Sequence, residues 1–197
     1  MLSFLDQIKI KFRHLILPQD VLIRIAESHQ SILDIGCGLG VFLTTLSGQK
    51  KTLRGVEISD ETVQKAKGIL VQKGIKDVEI FHFNGDPTTI SDWADYDVIF
   101  LNDVLHHIPS MDQVGFLRKI HHKMRKGAQF VLKDIDAESP LVYFNKLHDL
   151  ILNRQYPHEM SKKDCYQVCQ TLGFQINESL SIRKLVYPHF ILVMTKV

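Results

Sequence analysis

The sequence predicts an α/β fold, a doubly wound and mostly parallel sheet of seven strands with an antiparallel C-terminal strand. Three observations lead there. Between Ser31 and Lys133, short apolar runs alternate with segments of helical periodicity, the pattern of strand–helix–strand crossovers. One of those runs, Asp97–Leu101, is apolar at nearly every position, as a strand covered on both faces must be. Near the C-terminus two strands follow one another with a short connection, which suits an antiparallel pair better than another crossover.

The elements follow in order. Gln19–His29 is predicted helical, and Ser31–Ile35 is a strand that runs into glycines. Leu39–Leu46 is the next helix and Thr52–Ile58 the next strand. Asp60–Lys73 places Val63, Ala66, Ile69 and Leu70 on one helical face and stops at Gly74. Val78–Phe83 alternates as a strand does. Met111–Met124 groups Val114, Leu117, Ile120 and Met124 on one face, and Ala128–Lys133 is the fifth strand. Ser139–Leu152 is predicted helical, with Ser139 as N-cap and Pro140 at the first helical position. Lys162–Leu172 is a helix closed by Gly173, and Phe174–Leu180 and His189–Lys196 are the last strands.

A chain of 197 residues with 45% hydrophobic and 23% charged residues reads as one soluble domain able to bury a core without disulfides. Its formal net charge of +2 is too small to imply a nucleic-acid surface. The three cysteines, Cys37, Cys165 and Cys169, have no metal-ligand spacing and suit free thiols in a reducing, cytoplasmic setting. Cys165 and Cys169, four apart, share a helix face and read as core. Leu2, Leu5, Ile8, Phe12 and Leu15 recur at near-helical spacing among Lys9, Lys11 and Arg13. These charges break the apolar run that a signal peptide needs. The segment is expected to be an amphipathic helix over the domain, or one that meets a membrane surface.

The informative stretch is Ile32-Leu33-Asp34-Ile35-Gly36-Cys37-Gly38-Leu39-Gly40, a strand ending in alternate glycines that open a helix. Such a loop lets a ligand approach the backbone beyond the carboxyl ends of the strands. The dinucleotide fingerprint needs Gly or Ala at position 41, where this chain has Val41. Glu57 ends the second strand 23 residues after Asp34, where a carboxylate can accept from two ribose hydroxyls. Asn84-Gly85-Asp86-Pro87 follows the third strand, and Asn102-Asp103-Val104-Leu105-His106-His107-Ile108-Pro109 follows the fourth.

An acidic residue followed by three alternate glycines, with these successors at the next strand ends, resembles the class I methyltransferases that use S-adenosylmethionine (SAM). The resemblance implies that family's fold, with residues 1–30 as an N-terminal helical lid, 31–134 as the SAM-binding core and 135–197 as acceptor-side helices and strands. It implies a donor site of Asp34, Gly36, Cys37, Gly38, Gly40, Glu57 and Ile58, with Asp86 and Pro87 toward the adenine and Asn102 beside the methionine part. Lys133-Asp134-Ile135-Asp136 with Asn145 and His148-Asp149 is similar to methyltransferases of aryl-polyene and other lipid-linked biosynthetic clusters.

Methyl transfer to oxygen, carbon or protonated nitrogen needs a proton removed, so a base is expected beyond the fourth and fifth strands. His106, His107, Asp134 and Asp136 follow those strands, and His148 lies beside Asn145 and Asp149 on the predicted Ser139 helix. Signatures of nucleic-acid amino-methylation, cytosine C5 methylation, arginine methylation and the magnesium-dependent catechol type are not recognisable, so no metal is assigned. The expected reaction is O- or C-methylation of a small or lipid-linked acceptor. Two other readings use the same fold: a silent SAM-binding partner subunit, separable only by turnover, and a nicotinamide-dependent oxidoreductase, which Val41 disfavours.

Overall fold

A computed structural model of the chain describes residues 18–143 and 158–197. The predicted N-terminal helix before Pro18, and Asn145, His148 and Asp149, lie outside the described residues. The described helices are α1 (Gln19–Glu27), α2 (Val41–Leu46), α3 (Asp60–Gln72), α4 (Ser110–Lys123) and α5 (Lys162–Thr171). The strands are β1 (Ser31–Ile35), β2 (Thr52–Glu57), β3 (Val78–His82), β4 (Val98–Asn102), β5 (Gln129–Ile135), β6 (Phe174–Lys184) and β7 (Tyr187–Lys196).

The seven strands form one sheet in the order β3-β2-β1-β4-β5-β7-β6. The first five are mutually parallel, and β7 runs antiparallel to both β5 and β6. Successive side chains of a strand feed opposite layers. Ile32, Val98, Phe100 and Val131 join Leu22 and Ala26 of α1, Leu43 of α2 and Val63 of α3 in one core. Leu33, Ile99, Leu101 and Phe130 join Leu117 and Ile120 of α4 and Cys165 and Cys169 of α5 in the other. The two thiols are therefore core, as their spacing predicts. The Cys165 thiol is pushed well above its usual pKa, first by its hydrogen bond with Cys169 and then by burial.

Local chemistry sets the boundaries. Ser59 caps α3 by accepting from the Thr62 N–H at 3.2 Å, and Ser161 caps α5 by accepting from the Asp164 N–H at 3.0 Å. Lys51, 9% exposed, sends its ammonium into the last turn of α1, donating to the carbonyls of Ala26, Glu27 and His29. One sequence expectation is corrected. Ser139 does not open a helix with Pro140 at its first position. Residues 137–141 form a turn, in which Ser139 Oγ accepts from the Leu141 N–H at 3.3 Å, and helix begins at Val142. The Asp136 carbonyl accepts from the Ser139 N–H at 3.2 Å, so the chain folds back on the end of β5 before a helix can start.

Candidate active site

The strand order reverses between β1 and β4, so the crevice for a ligand opens above the carboxyl ends of those two strands. Gly36, Gly38 and Gly40 line its floor with φ of 74°, 56° and 72°. A Cβ on Gly36 would stand 2.3 Å from Cγ2 of Val104, which leans in from the loop after β4. The loop thus needs glycine for its backbone sign and for its closeness to the neighbouring loop. The N–H groups of Gly36 and Cys37 both donate to the Val56 carbonyl, at 2.8 and 3.1 Å, which ties the turn to β2.

Glu57 meets this turn. Its Oε2 accepts from the Gly38 N–H and its Oε1 from the Ser59 N–H, each at 3.0 Å. The carboxylate is thereby aimed along the crevice, and each oxygen keeps acceptor capacity for a hydroxyl. Asp34 is 2% exposed and accepts from Asn102 Nδ2 at 3.2 Å. Asn102 Oδ1 is buried with no hydrogen-bond partner among the described residues, an acceptor in place for a ligand N–H. Burial, then the charges of Asp34 and Glu57, push the Cys37 thiol well above its ordinary pKa, so it lines the turn as a neutral group.

The far end of the crevice is less committed. Ile58 is 60% exposed and faces the Asn84-Gly85 turn, where a Cβ on Gly85 would come within 3.1 Å of its Cδ1. Asp86 caps the turn Pro87–Thr89 by accepting from the Thr88 N–H at 3.0 Å, and it pairs with Lys119 at 3.2 Å. That N–H bond, ahead of Lys119, holds the Asp86 carboxyl below the ordinary value. Pro87 is buried, and its carbonyl accepts from Trp93 Nε1 at 3.3 Å.

In the turn after β4 the two histidines part. His106 is 3% exposed, and its Nδ1 lies 2.5 Å from Asp134 Oδ1, while its backbone N–H donates to Asp134 Oδ2 at 3.1 Å. His107 is exposed, with its ring centroid 4.1 Å from that of His106. Asp136 is turned to structural work: its Oδ1 accepts from the N–H groups of Glu138 and Lys162, at 3.2 and 3.0 Å.

Sequence reasoning missed the group beneath this loop. The Lys133 side chain, 0% exposed, bonds Asp103 Oδ1 at 2.5 Å, and Asp103 holds a left-handed φ of 56°. Ligand-type atoms of Asp103, His106 and Asp134 lie within 4.8 Å of one another. With Lys133 bonded to one of the two carboxylates, the group is a charge-compensated network and a poor host for a metal cation. The signal was a lone lysine in an apolar strand, Phe130-Val131-Leu132-Lys133, since a buried lysine requires a buried anion.

A family model described as a methyltransferase domain matches residues 9–179. The chain belongs to the methyltransferase-domain family. Among curated relatives, the 2-heptyl-1-hydroxyquinolin-4(1H)-one methyltransferase of Mycobacteroides abscessus is 25% identical over 140 residues, covering 63% of this chain and 60% of that protein. The ubiquinone biosynthesis O-methyltransferase of Escherichia coli O6:H1 is 23% identical over 174 residues, covering 82% of this chain and 66% of that protein. The chain therefore spans less than two thirds of the length of these relatives. Its fold is that of the magnesium protoporphyrin IX methyltransferase of Synechocystis, solved with bound SAH, at a TM-score of 0.75 and 16% identity over 100% of this chain and 89% of that one. No helix among the described residues is long and apolar enough to cross a membrane.

Proposed function

We propose that this chain is a methyltransferase that uses SAM to methylate a hydroxyl of a small, apolar, lipid-like acceptor. The observation that carries the reading is the cradle of Gly36, Gly38 and Gly40, all at positive φ, facing the Glu57 carboxylate. It suits a ligand with a ribose and no pyrophosphate, and Val41 removes the third position of the dinucleotide loop. Glu57 would receive the ribose hydroxyls, and Ile58, Asp86 and Pro87 would border the adenine. Asn102, with its unpartnered Oδ1, would take an N–H of the methionine part.

Bound SAM supplies a methyl already activated on a sulfonium, so the chain has to align the acceptor, exclude water and move one proton. For that proton His107 is the better placed of the two histidines. It is exposed beyond β4, whereas the imidazole of His106 is occupied by Asp134. His106 is assigned the supporting role of holding the loop, and His148 rests on the sequence pattern alone. An apolar hydroxylated acceptor is supported by the names of the two relatives, one acting on a heptyl hydroxyquinolone and the other an O-methyltransferase. A soluble chain that meets membranes through Lys9, Lys11 and Arg13 at its N-terminus would suit such an acceptor.

The test incubates the purified chain with SAM and 2-heptyl-1-hydroxyquinolin-4(1H)-one and follows the methylated product by mass spectrometry. Product from the parent, with turnover reduced about 10²–10⁴-fold in His107→Ala and SAM affinity retained, supports the reading. Wild-type turnover in His107→Ala refutes the base assignment. No product from any hydroxylated ring probe, despite SAM binding, refutes the acceptor class.

A further inference from the structure

Gln113 lies on the first turn and a half of α4 and is 2% exposed. A buried carboxamide on a helix is costly unless its donors are used, and this one is directed back at loop carbonyls. Its Nε2 donates to the carbonyls of Leu105 and Ile108, each at 3.0 Å, and to that of His158 at 2.6 Å. The first two bracket the turn Leu105–His107 that carries both histidines. The third belongs to a residue 45 positions further along the chain. A reciprocal bond closes the arrangement: the His158 N–H donates to the His106 carbonyl at 2.7 Å. Both backbone groups of His158 are thus fixed to the turn, one directly and one through Gln113.

Asp134 secures the same turn from the β5 side. Its two oxygens take the backbone N–H and the Nδ1 of His106, and Oδ1 also accepts from the Ile135 N–H at 2.7 Å. From His158 the chain runs to the N-terminus of α5, where the Lys162 N–H is held by Asp136. Two elements distant in sequence, the turn after β4 and the chain entering α5, are therefore pinned to one buried amide.

We propose that Gln113 is a positioning residue: it clasps the turn 105–108 to the chain at His158 and so fixes where His107 stands at the acceptor side. Its role in turnover rests on the proposed function, but the clasp itself does not. None of these three hydrogen bonds reaches the glycine cradle or Glu57, so its loss is expected to act at the turn 105–108 and to spare the cradle.

The experiment compares the parent with Gln113→Met, which keeps length and loses both donors, and with Gln113→Glu, which aims a carboxylate at three carbonyls. Amide hydrogen exchange of the full chain is followed without ligand, together with cross-relaxation between the His106 and His107 ring protons. SAM affinity is measured by calorimetry, and kcat and KM with 2-heptyl-1-hydroxyquinolin-4(1H)-one. The expected result is exchange at least tenfold faster at His107, Ile108 and His158, with residues 32–35 unchanged. The ring–ring cross-relaxation disappears, and SAM affinity stays within twofold. KM for the quinolone rises or kcat falls at least tenfold, and Gln113→Glu is the worse of the two. Unchanged exchange at His158 in Gln113→Met overturns the clasp. Faster exchange with SAM affinity falling in parallel, or with wild-type kinetics, overturns the positioning role and leaves a purely structural amide. If the parent does not methylate the quinolone, the acceptor reading fails, while exchange and cross-relaxation still decide the clasp.

Discussion

Replacing Lys133 with Met should cost this protein a large part of its stability. The side chain is 0% exposed, and its ammonium bonds Asp103 Oδ1 at 2.5 Å. Methionine fills nearly the same volume, so the substitution removes charge and little packing. What remains is the Asp103 carboxylate, 14% exposed, with an oxygen within 4.8 Å of one on Asp134. At an effective dielectric of about 20, two carboxylates at that separation repel by about 3 kcal/mol. Breaking a buried pair by removing one partner typically costs about 3–5 kcal/mol, a large share of a domain's total of about 5–15 kcal/mol. Asp103→Asn alone takes from the ammonium the charge of the carboxylate it bonds and should cost a similar amount. The double variant should recover at least about 2 kcal/mol relative to the sum, since asparagine tolerates the left-handed φ of 56° and methionine leaves no charge. The assay is guanidinium unfolding followed by circular dichroism, with denaturant slopes compared across all four proteins. A loss under about 1 kcal/mol in Lys133→Met, or strict additivity in the double variant, would refute the reasoning.

Three further outcomes are expected. Gly36→Ala should reduce SAM affinity more than tenfold by calorimetry, because its Cβ would meet Val104 Cγ2 at 2.3 Å; adding Val104→Ala should restore only part, since φ stays at 74°, and full restoration would show that the backbone sign is unimportant. Lys51→Met should lower stability by about 1–3 kcal/mol by leaving the last carbonyls of α1 without their cation, and a thermal midpoint unchanged within error would contradict that capping role. Burial, then the Lys196 ammonium, holds the His121 pKa below its ordinary 6.5, so the folded chain favours the neutral imidazole. This stability is complete above pH 6.5 and is lost as the pH falls below it, where the unfolded chain takes up the proton first. Exchanging His121 for Phe, which can keep the edge contact with Phe174, should flatten the acid side of the stability profile; an unchanged slope between pH 7 and 5 would count against the assignment.

The centre of the sheet was legible because β1, β4 and β5 are short runs buried at nearly every position, and β1 runs straight into Gly36. The largest shift at a strand end is four residues, at β6, an edge strand that runs on to Lys184 through mostly polar residues, its register with β7 broken between Ile176 and Glu178. The geometry of the glycine cradle was legible because glycine alternation and a carboxylate at the next strand end reflect backbone geometry directly. The turn after β4 was less so. His106 and His107 are adjacent and chemically identical in sequence, and only the fold turns one onto Asp134 and the other outward. Gln113 and the Lys133–Asp103 pair join positions 45 and 30 residues apart, and no local pattern announces such partners. Asp86 shows the converse: an Asp-Pro pair reads equally as a turn cap or a ligand group, and the fold displays the cap.

The most direct test of the donor site is a calorimetric titration of the parent and Glu57→Ala with SAM, its 2′,3′-dideoxy analogue and NAD. Each hydrogen bond to a charged group contributes about 1.5–3 kcal/mol, so losing the carboxylate should weaken SAM at least about tenfold. The dideoxy analogue, lacking the hydroxyls, should bind both proteins equally, and NAD should bind neither. SAM affinity unchanged in folded Glu57→Ala, or NAD binding the parent as tightly as SAM, would contradict the account.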